Sequence, residues 1–306
     1  MRLVTFEVAG TACAGLLLSD RVLDLTVAAR HCHETLDTSS VLALIRAGDV
    51  GLQSLRRISA RVAELHALTR PLHEVRLLAP MPQVNRNVFC VGRNYVDHIK
   101  EGSKVLQAEV KLPTVPQFFT KATHAVNAPE GEVRLDMRVS KRFDYEVELV
   151  VVVGKGGRDI SRARALEHVF GYCVGNDFTA RDLQRRHDQW FKGKSLDTTF
   201  PYGPALVTPD EVGDLANLGD LQLSLTVNGQ LRQQARVSQM IFDIPTIIES
   251  LSAGLTLEAG DIIATGTPSG VGYAMEPPCY LQDGDVVVSR IEGLGELRNR
   301  MVAVTA

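Results

Sequence analysis

The chain has 306 residues, 45% hydrophobic and 23% charged, a balance that can bury a sizeable core and allows one large domain with a small companion. Its net charge of −3 argues against a broad nucleic-acid or anionic-membrane surface. No apolar run approaches the ~20 residues of a membrane helix, and MRLVTFEVAG at the start lacks the apolar core and cleavage site of a secretory leader. Five scattered cysteines (Cys13, Cys32, Cys90, Cys173, Cys279) with no C-x-x-C pair fit reduced thiols in a cytoplasmic protein.

Residues 3–8, 14–18 and 22–25 read as strands, and 39–47 and 51–67 as helices. Leu52, Leu55, Ile58, Val62 and Leu65 recur at helical spacing. Pro71, Pro80 and Pro82 then punctuate the chain. The expectation is a small N-terminal α+β domain over 1–75 and a larger domain over 76–306. The larger part is strand-rich: 88–91, 146–153, 169–176, 221–227, 230–237, 262–264 and 286–291, with Asn228-Gly229 as a type I′ hairpin signal. Short helices are expected at 161–167, 179–188 and 245–252, with Ser161 and Thr179 as N-caps and Pro245 in a first turn. There is no regular β-α-β alternation, which argues against a Rossmann or TIM fold.

Glu146 and Glu148 stand two apart where an apolar strand begins, so both carboxylates point to one face. Buried like charges need something positive between them. Asp177 follows the apolar strand at 169–176. Three convergent carboxylates would make an all-oxygen site suited to Mg²⁺, Mn²⁺ or Ca²⁺ and not to Zn²⁺. The competing reading is an edge strand with solvated Glu residues and an Asp in a turn. In GNDFTARDLQ, Arg181 and Gln184 lie three apart on one helix face, offering a guanidinium fork and an amide, or else a polar face in water. QWFKGKSLD carries Trp190, Lys192 and Lys194; either lysine could stabilise an enolate or be a solvated loop charge.

In VGRNYVDHIKE, one helical turn would join His98 to Glu101. A Glu that accepts from one imidazole nitrogen leaves the other as a base. Residues 102–116 read as a long loop, a lid over a site or an ordinary surface loop. TGTPSGVG, 265–272, makes a tight turn with exposed N–H groups, where Thr hydroxyls could hold a ligand carboxylate; it lacks the Walker A pattern.

Seven stretches in order resemble the fumarylacetoacetate hydrolase family, in its bacterial form with an N-terminal accessory domain. They are FCVGRNYVDHIKE (89–101), PQFFTKATHAV (116–126), DYEVELVVVVGK (144–155), GYCVGNDFTARDLQ (171–184), QWFKGKSLDTTFPYGP (189–204), GDIIATGTPSGVG (260–272) and DGDVVVSRIEGLGELRNR (283–300). The resemblance implies an α+β fold, a mixed β-roll or β-sandwich with a small N-terminal α+β domain, assembled as a homodimer. It implies that Glu146, Glu148 and Asp177 hold Mg²⁺ or Mn²⁺, and that His98 and Glu101 form a water-activating dyad on a lid. Lys194 matches the family's active-site lysine, and Arg181, Gln184 and Thr267 match its substrate-contacting positions. The chain departs from the pattern at Ala122, where many members have Pro, and at Ala274-Met275-Glu276, where a basic residue is common.

The partner so implied is a small 2-oxo acid. With the dyad intact, the leading expectation is a metal-dependent hydrolase that cleaves a C–C bond in an acylpyruvate-type acid. The alternative is an oxaloacetate-type decarboxylase or a 2-hydroxy-dienedioate isomerase or tautomerase on the same site. A non-catalytic metal-binding protein is a remote third reading, opposed by the complete set of site residues.

Overall fold

In the computed structural model, which describes residues 1–107, 109–213 and 218–304, the apolar run Val147–Val153 is the strand about which the molecule is built. It is buried along its whole length because both of its faces are covered. Val147, Leu149, Val151 and Val153 pack into one core with Leu223, Leu225, Val287 and Leu297. Val150 and Val152 pack into another with Phe200, Tyr202, Leu3, Val41, Leu44 and Leu55. A strand covered on both faces reads as a continuous apolar run, with no polar alternation.

The first of these cores lies beneath a second, five-stranded sheet, ordered Gln230–Arg236, Gln222–Val227, Val286–Ile291, Gly295–Val304 and Val133–Asp136. The large sheet carries the order Thr69–Pro71, Arg21–Asp24, Thr11–Leu17, Arg2–Val8, Phe200–Val207, Val169–Asn176, Val147–Val153, Ile262–Ala264, Val88–Gly92 and Gln117–Lys121. The chain is therefore α+β, two large mixed sheets with few helices. Among the described residues no helix is long and apolar enough to cross a membrane.

The first 75 residues contribute strands to this same large sheet. Leu3 pairs with Leu206, and Arg76–Leu78 pairs back onto Arg2–Val8. The junction is also sealed by side chains. Tyr202 Oη donates to the Met81 carbonyl at 2.8 Å and accepts from the Met81 N–H at 2.9 Å. Thr5 Oγ1 donates to the Pro80 carbonyl at 2.6 Å.

The hairpin at Asn228-Gly229 forms as expected, with φ of 51° and 78°. Other boundaries differ. The predicted 51–67 helix is Gly48–Ala60, followed by turns that bring Leu65 into the core. Thr179 does not cap a helix: it pairs with Asp144 in a two-stranded ladder, its hydroxyl donates to the Asp177 carbonyl at 2.9 Å, and the helix starts at Arg181. Of the stretch read as a loop, 102–116, the first part continues the helix Val96–Leu106, while residues 109–116 form no helix or strand, as expected. Gly102 is tolerated inside it because a side chain there would come within 2.6 Å of the Tyr273 hydroxyl.

Tyr202→Phe should keep the ring packed and orphan both backbone groups of Met81. Loss of a buried partner typically costs about 1–3 kcal/mol. The expected result is a lower urea midpoint with an unchanged slope; an unchanged midpoint would show that this join contributes nothing.

Candidate active site

Strand pairing converges the acidic residues. Val147 pairs with Asn176, so the strand ends that carry Glu146, Glu148 and Asp177 lie side by side. The Asp177 N–H donates to the Glu146 carbonyl at 2.9 Å, and the Glu146 N–H donates to Asn176 Oδ1 at 3.0 Å. The three buried carboxylates each place an oxygen within 4.8 Å of the others.

Three buried basic side chains surround them. Lys194 Nζ donates to Glu146 Oε2 and to Asp177 Oδ2, each at 2.6 Å. Lys121 Nζ donates to Asp177 Oδ1 at 2.7 Å. Arg181 places Nη1 2.7 Å from Glu146 Oε1 and Nε 2.8 Å from Asp144 Oδ2. Glu148 differs: it accepts from the Gly266 N–H at 2.8 Å, and among the described residues no basic group lies within 4.0 Å of it.

The charges follow from these contacts. Burial opposes ionisation of Glu146, but Lys194 and Arg181 outweigh it and hold its pKa at about 2. Burial, then the charges of Asp177 and Glu146, push Glu148 well above the usual carboxylate range. Burial lowers Lys121 below the ordinary lysine value despite the pull of Asp177. For Lys194, burial is outweighed by Asp177 and Glu146, which raise it and keep it cationic. With Asp144 counted, four buried carboxylates face three basic side chains, and Glu148 is the one left, among the described residues, without a basic group within 4.0 Å. An all-oxygen, buried Glu-Glu-Asp group with that deficit can hold a divalent cation of the Mg²⁺ or Mn²⁺ kind.

The glycine-rich turn serves this chain's own carboxylates. The Gly266 N–H holds Glu148, the Gly270 N–H holds Glu101 Oε2 at 2.8 Å, and the Gly272 N–H holds Asp144 Oδ1 at 2.7 Å. Gly270, at φ 106°, must be glycine, because a Cβ there would overlap the Arg232 carbonyl. The Thr267 hydroxyl donates to the Val147 carbonyl and accepts from Gln233 Nε2, both at 2.9 Å, so Thr267 lines the cleft with its hydroxyl already engaged.

His98 and Glu101 do meet on one helical turn, with Nδ1 2.8 Å from Glu101 Oε1. Glu101 thereby ties the imidazole to the Gly270 N–H, and His98 Nε2 is left for the cleft. That cleft, about 510 Å³, is lined by His98, Glu146, Glu148, Arg181, Gln184, Lys194 and Thr267 among others. Asp177 is buried and is not part of the wall. Gln184 accepts from Arg181 Nη1 at 3.2 Å, whereas Arg181 Nη2 is buried with no partner among the described residues. Lys192 is exposed and not part of the wall.

Sequence reasoning assigned no role to Lys121 or Asp144. Asp144 was findable, since it extends the Glu146, Glu148 alternation by one more step of two. Lys121 was not, because nothing local says that a lysine ending a strand will be fully buried.

The family model described as "Fumarylacetoacetate (FAA) hydrolase C-terminal" matches residues 87–302. Oxaloacetate tautomerase YisK of Bacillus subtilis is 42% identical over 308 residues, 98% of this chain and 100% of that protein. Human mitochondrial oxaloacetate tautomerase FAHD2A is 42% identical over 257 residues, 83% of this chain and 77% of that one. A solved fumarylacetoacetate hydrolase from Exiguobacterium antarcticum, 41% identical, matches with a TM-score of 0.80 over 99% of this chain and 100% of that one.

Glu148→Gln tests the charge deficit. In EDTA the variant should melt at or above wild type, since burial and the neighbouring carboxylates disfavour a charge at Glu148. Mn²⁺ should raise the wild-type midpoint but not the variant's. Wild-type Mn²⁺ affinity should climb with pH, because protons compete for the raised Glu148 carboxyl. Equal stabilisation of both proteins by Mn²⁺ would contradict this.

Proposed function

The chain belongs to the fumarylacetoacetate hydrolase family, and from that premise we propose that it is a divalent-cation-dependent tautomerase, interconverting the enol and keto forms of an oxaloacetate-type 2-oxo acid. The observation that carries the reading is the 42% identity to a Bacillus subtilis protein named as an oxaloacetate tautomerase, across 98% of this chain and 100% of that one. This moves the weight from C–C hydrolysis, the leading expectation from the sequence, to its alternative.

Glu146, Glu148 and Asp177 would hold the cation, which when bound supplies a Lewis-acid contact to the carboxylate and 2-oxo oxygens of the substrate. Lys194 is cationic because two carboxylates grip it, so it serves as a fixed positive charge beside the developing enolate and not as a base. His98 is the base: Glu101 orients the ring through Nδ1, and Nε2 exchanges the proton. Ketonisation removes the proton of the enol hydroxyl and adds one at C3, as the C2=C3 π bond gives way to the C2=O π bond. Arg181 Nη2, buried and unpartnered, is placed to receive a substrate oxygen.

A second reading, hydrolysis of an acylpyruvate, is favoured by one feature, the intact pairing of His98 and Glu101, which would equally activate water. We carry the homodimer implied by the family likeness as a proposal too.

The test is steady-state kinetics with Mg²⁺ on enol-oxaloacetate, followed by ultraviolet absorbance, and on an acylpyruvate. Wild type should tautomerise oxaloacetate with a higher kcat/KM than it cleaves acylpyruvate, and His98→Ala should lower tautomerisation by about 10²–10⁴-fold. Faster cleavage of the acylpyruvate would overturn the tautomerase reading. An unaffected His98→Ala variant would remove His98 from the mechanism.

A further inference from the structure

Two arginines stack on one tyrosine at the edge of the cleft. The Arg181 guanidinium carbon lies 4.5 Å from the centre of the Tyr273 ring, and that of Arg185 lies 5.5 Å from it. They stand one turn apart on the helix Arg181–Arg186, so they share a face, Arg181 buried and Arg185 toward the mouth. The backbone that carries the ring is anchored. The Tyr273 N–H donates to Asp144 Oδ2 at 3.1 Å, and the Tyr273 hydroxyl abuts Gly102 of the dyad's helix.

Cation–π contact steadies each guanidinium, but two cations on one ring repel unless negative charge joins them. Arg181 has its carboxylates, Asp144 and Glu146. Arg185 has none: among the described residues it makes no ion pair and no hydrogen bond, and Asp188, which also lines the cleft, makes no pair with it within 4.0 Å. The other cations of the rim are engaged. Arg93 donates to the Lys111 carbonyl at 3.0 Å, and Lys111 pairs with Glu109 at 3.6 Å. An aligned guanidinium without an anion, one turn outside a buried arginine with a free Nη2, is a fork set for an incoming carboxylate.

We propose that Arg185, steadied by Tyr273, is the specificity-determining residue that makes this site select 2-oxo acids with a second, distal carboxylate. The inference rests on the tautomerase reading for the placement of the first carboxylate, at the acidic triad. The distal carboxylate then reaches the Arg181–Arg185 fork, and a substrate with a neutral tail forgoes that contact.

The test uses the full-length protein with Mg²⁺, comparing wild type with Arg185→Gln and Arg185→Lys. The kinetic readout is the ratio of kcat/KM for enol-oxaloacetate to that for enol-phenylpyruvate, whose tail is neutral. A charge-assisted hydrogen bond corresponds to about a tenfold effect or more. Arg185→Gln should lower the ratio about tenfold, chiefly through KM for oxaloacetate, and Arg185→Lys should recover part of it. The binding readout is calorimetry with oxaloacetate and with pyruvate, where Arg185→Gln should erase most of the wild-type preference for the diacid. An unchanged ratio and preference, or equal losses for both ligands, overturns the proposal. If wild type prefers oxaloacetate through Arg185 yet does not tautomerise it, the tautomerase reading falls and the specificity assignment stands. If it tautomerises without preferring the diacid, the specificity assignment falls alone.

Discussion

Lys194 bridging Glu146 and Asp177 is the contact on which the rest of the site depends. Strand pairing forces acidic side chains into the mouth of a buried sheet, where each unpaired charge would be disfavoured by several kcal/mol. Lys194 binds two of the carboxylates, and Lys121 and Arg181 take their remaining oxygens. The same grip fixes the role of Lys194, since a lysine held by two carboxylates stays protonated and can only act as a positive charge. Breaking such a pair is costly even though the pair adds little net stability. The cluster is therefore better understood as a device for position than as a source of stability.

The glycine-rich turn is the second constraint. It binds Glu148 of the triad, Glu101 of the dyad and Asp144, which in turn anchors Arg181. One backbone segment thus sets the relative positions of the acidic triad, the imidazole and the guanidinium. The N–H groups of Gly266, Gly270 and Gly272 are taken by carboxylates of the protein, which gives the site a wall assembled from distant parts of the chain.

What could be read from the sequence divides along physical lines. Features with a short period were legible: the apolar run at Val147–Val153, the two-residue spacing of Glu146 and Glu148, the one-turn spacing of His98 and Glu101, and the Asn228-Gly229 hairpin. The α+β class came from the family resemblance, while the absence of β-α-β alternation argued only against a Rossmann or TIM fold. Features set by partners far away in the chain were not legible. Thr179 has the chemistry of an N-cap, yet ladder pairing with Asp144 claims it first. Gly102 looks like a helix end, but packing against Tyr273 favours a glycine there within a continuing helix. Lys121 lies 56 residues from the aspartate that it pairs with, and no local pattern reports that. The choice among reactions was also beyond the residues themselves, since a base, a cation and an acidic triad serve hydrolysis and tautomerisation alike. Full-length likeness to proteins named as tautomerases weighs in that choice.

The account stands on a divalent cation completing the charge balance at Glu148. Anomalous diffraction from crystals soaked in Mn²⁺ measures this directly. The predicted result is one strong peak with an oxygen from each of Glu146, Glu148 and Asp177 at about 2.0–2.2 Å. No peak at that position, or one that leaves Glu148 uncoordinated, would contradict it.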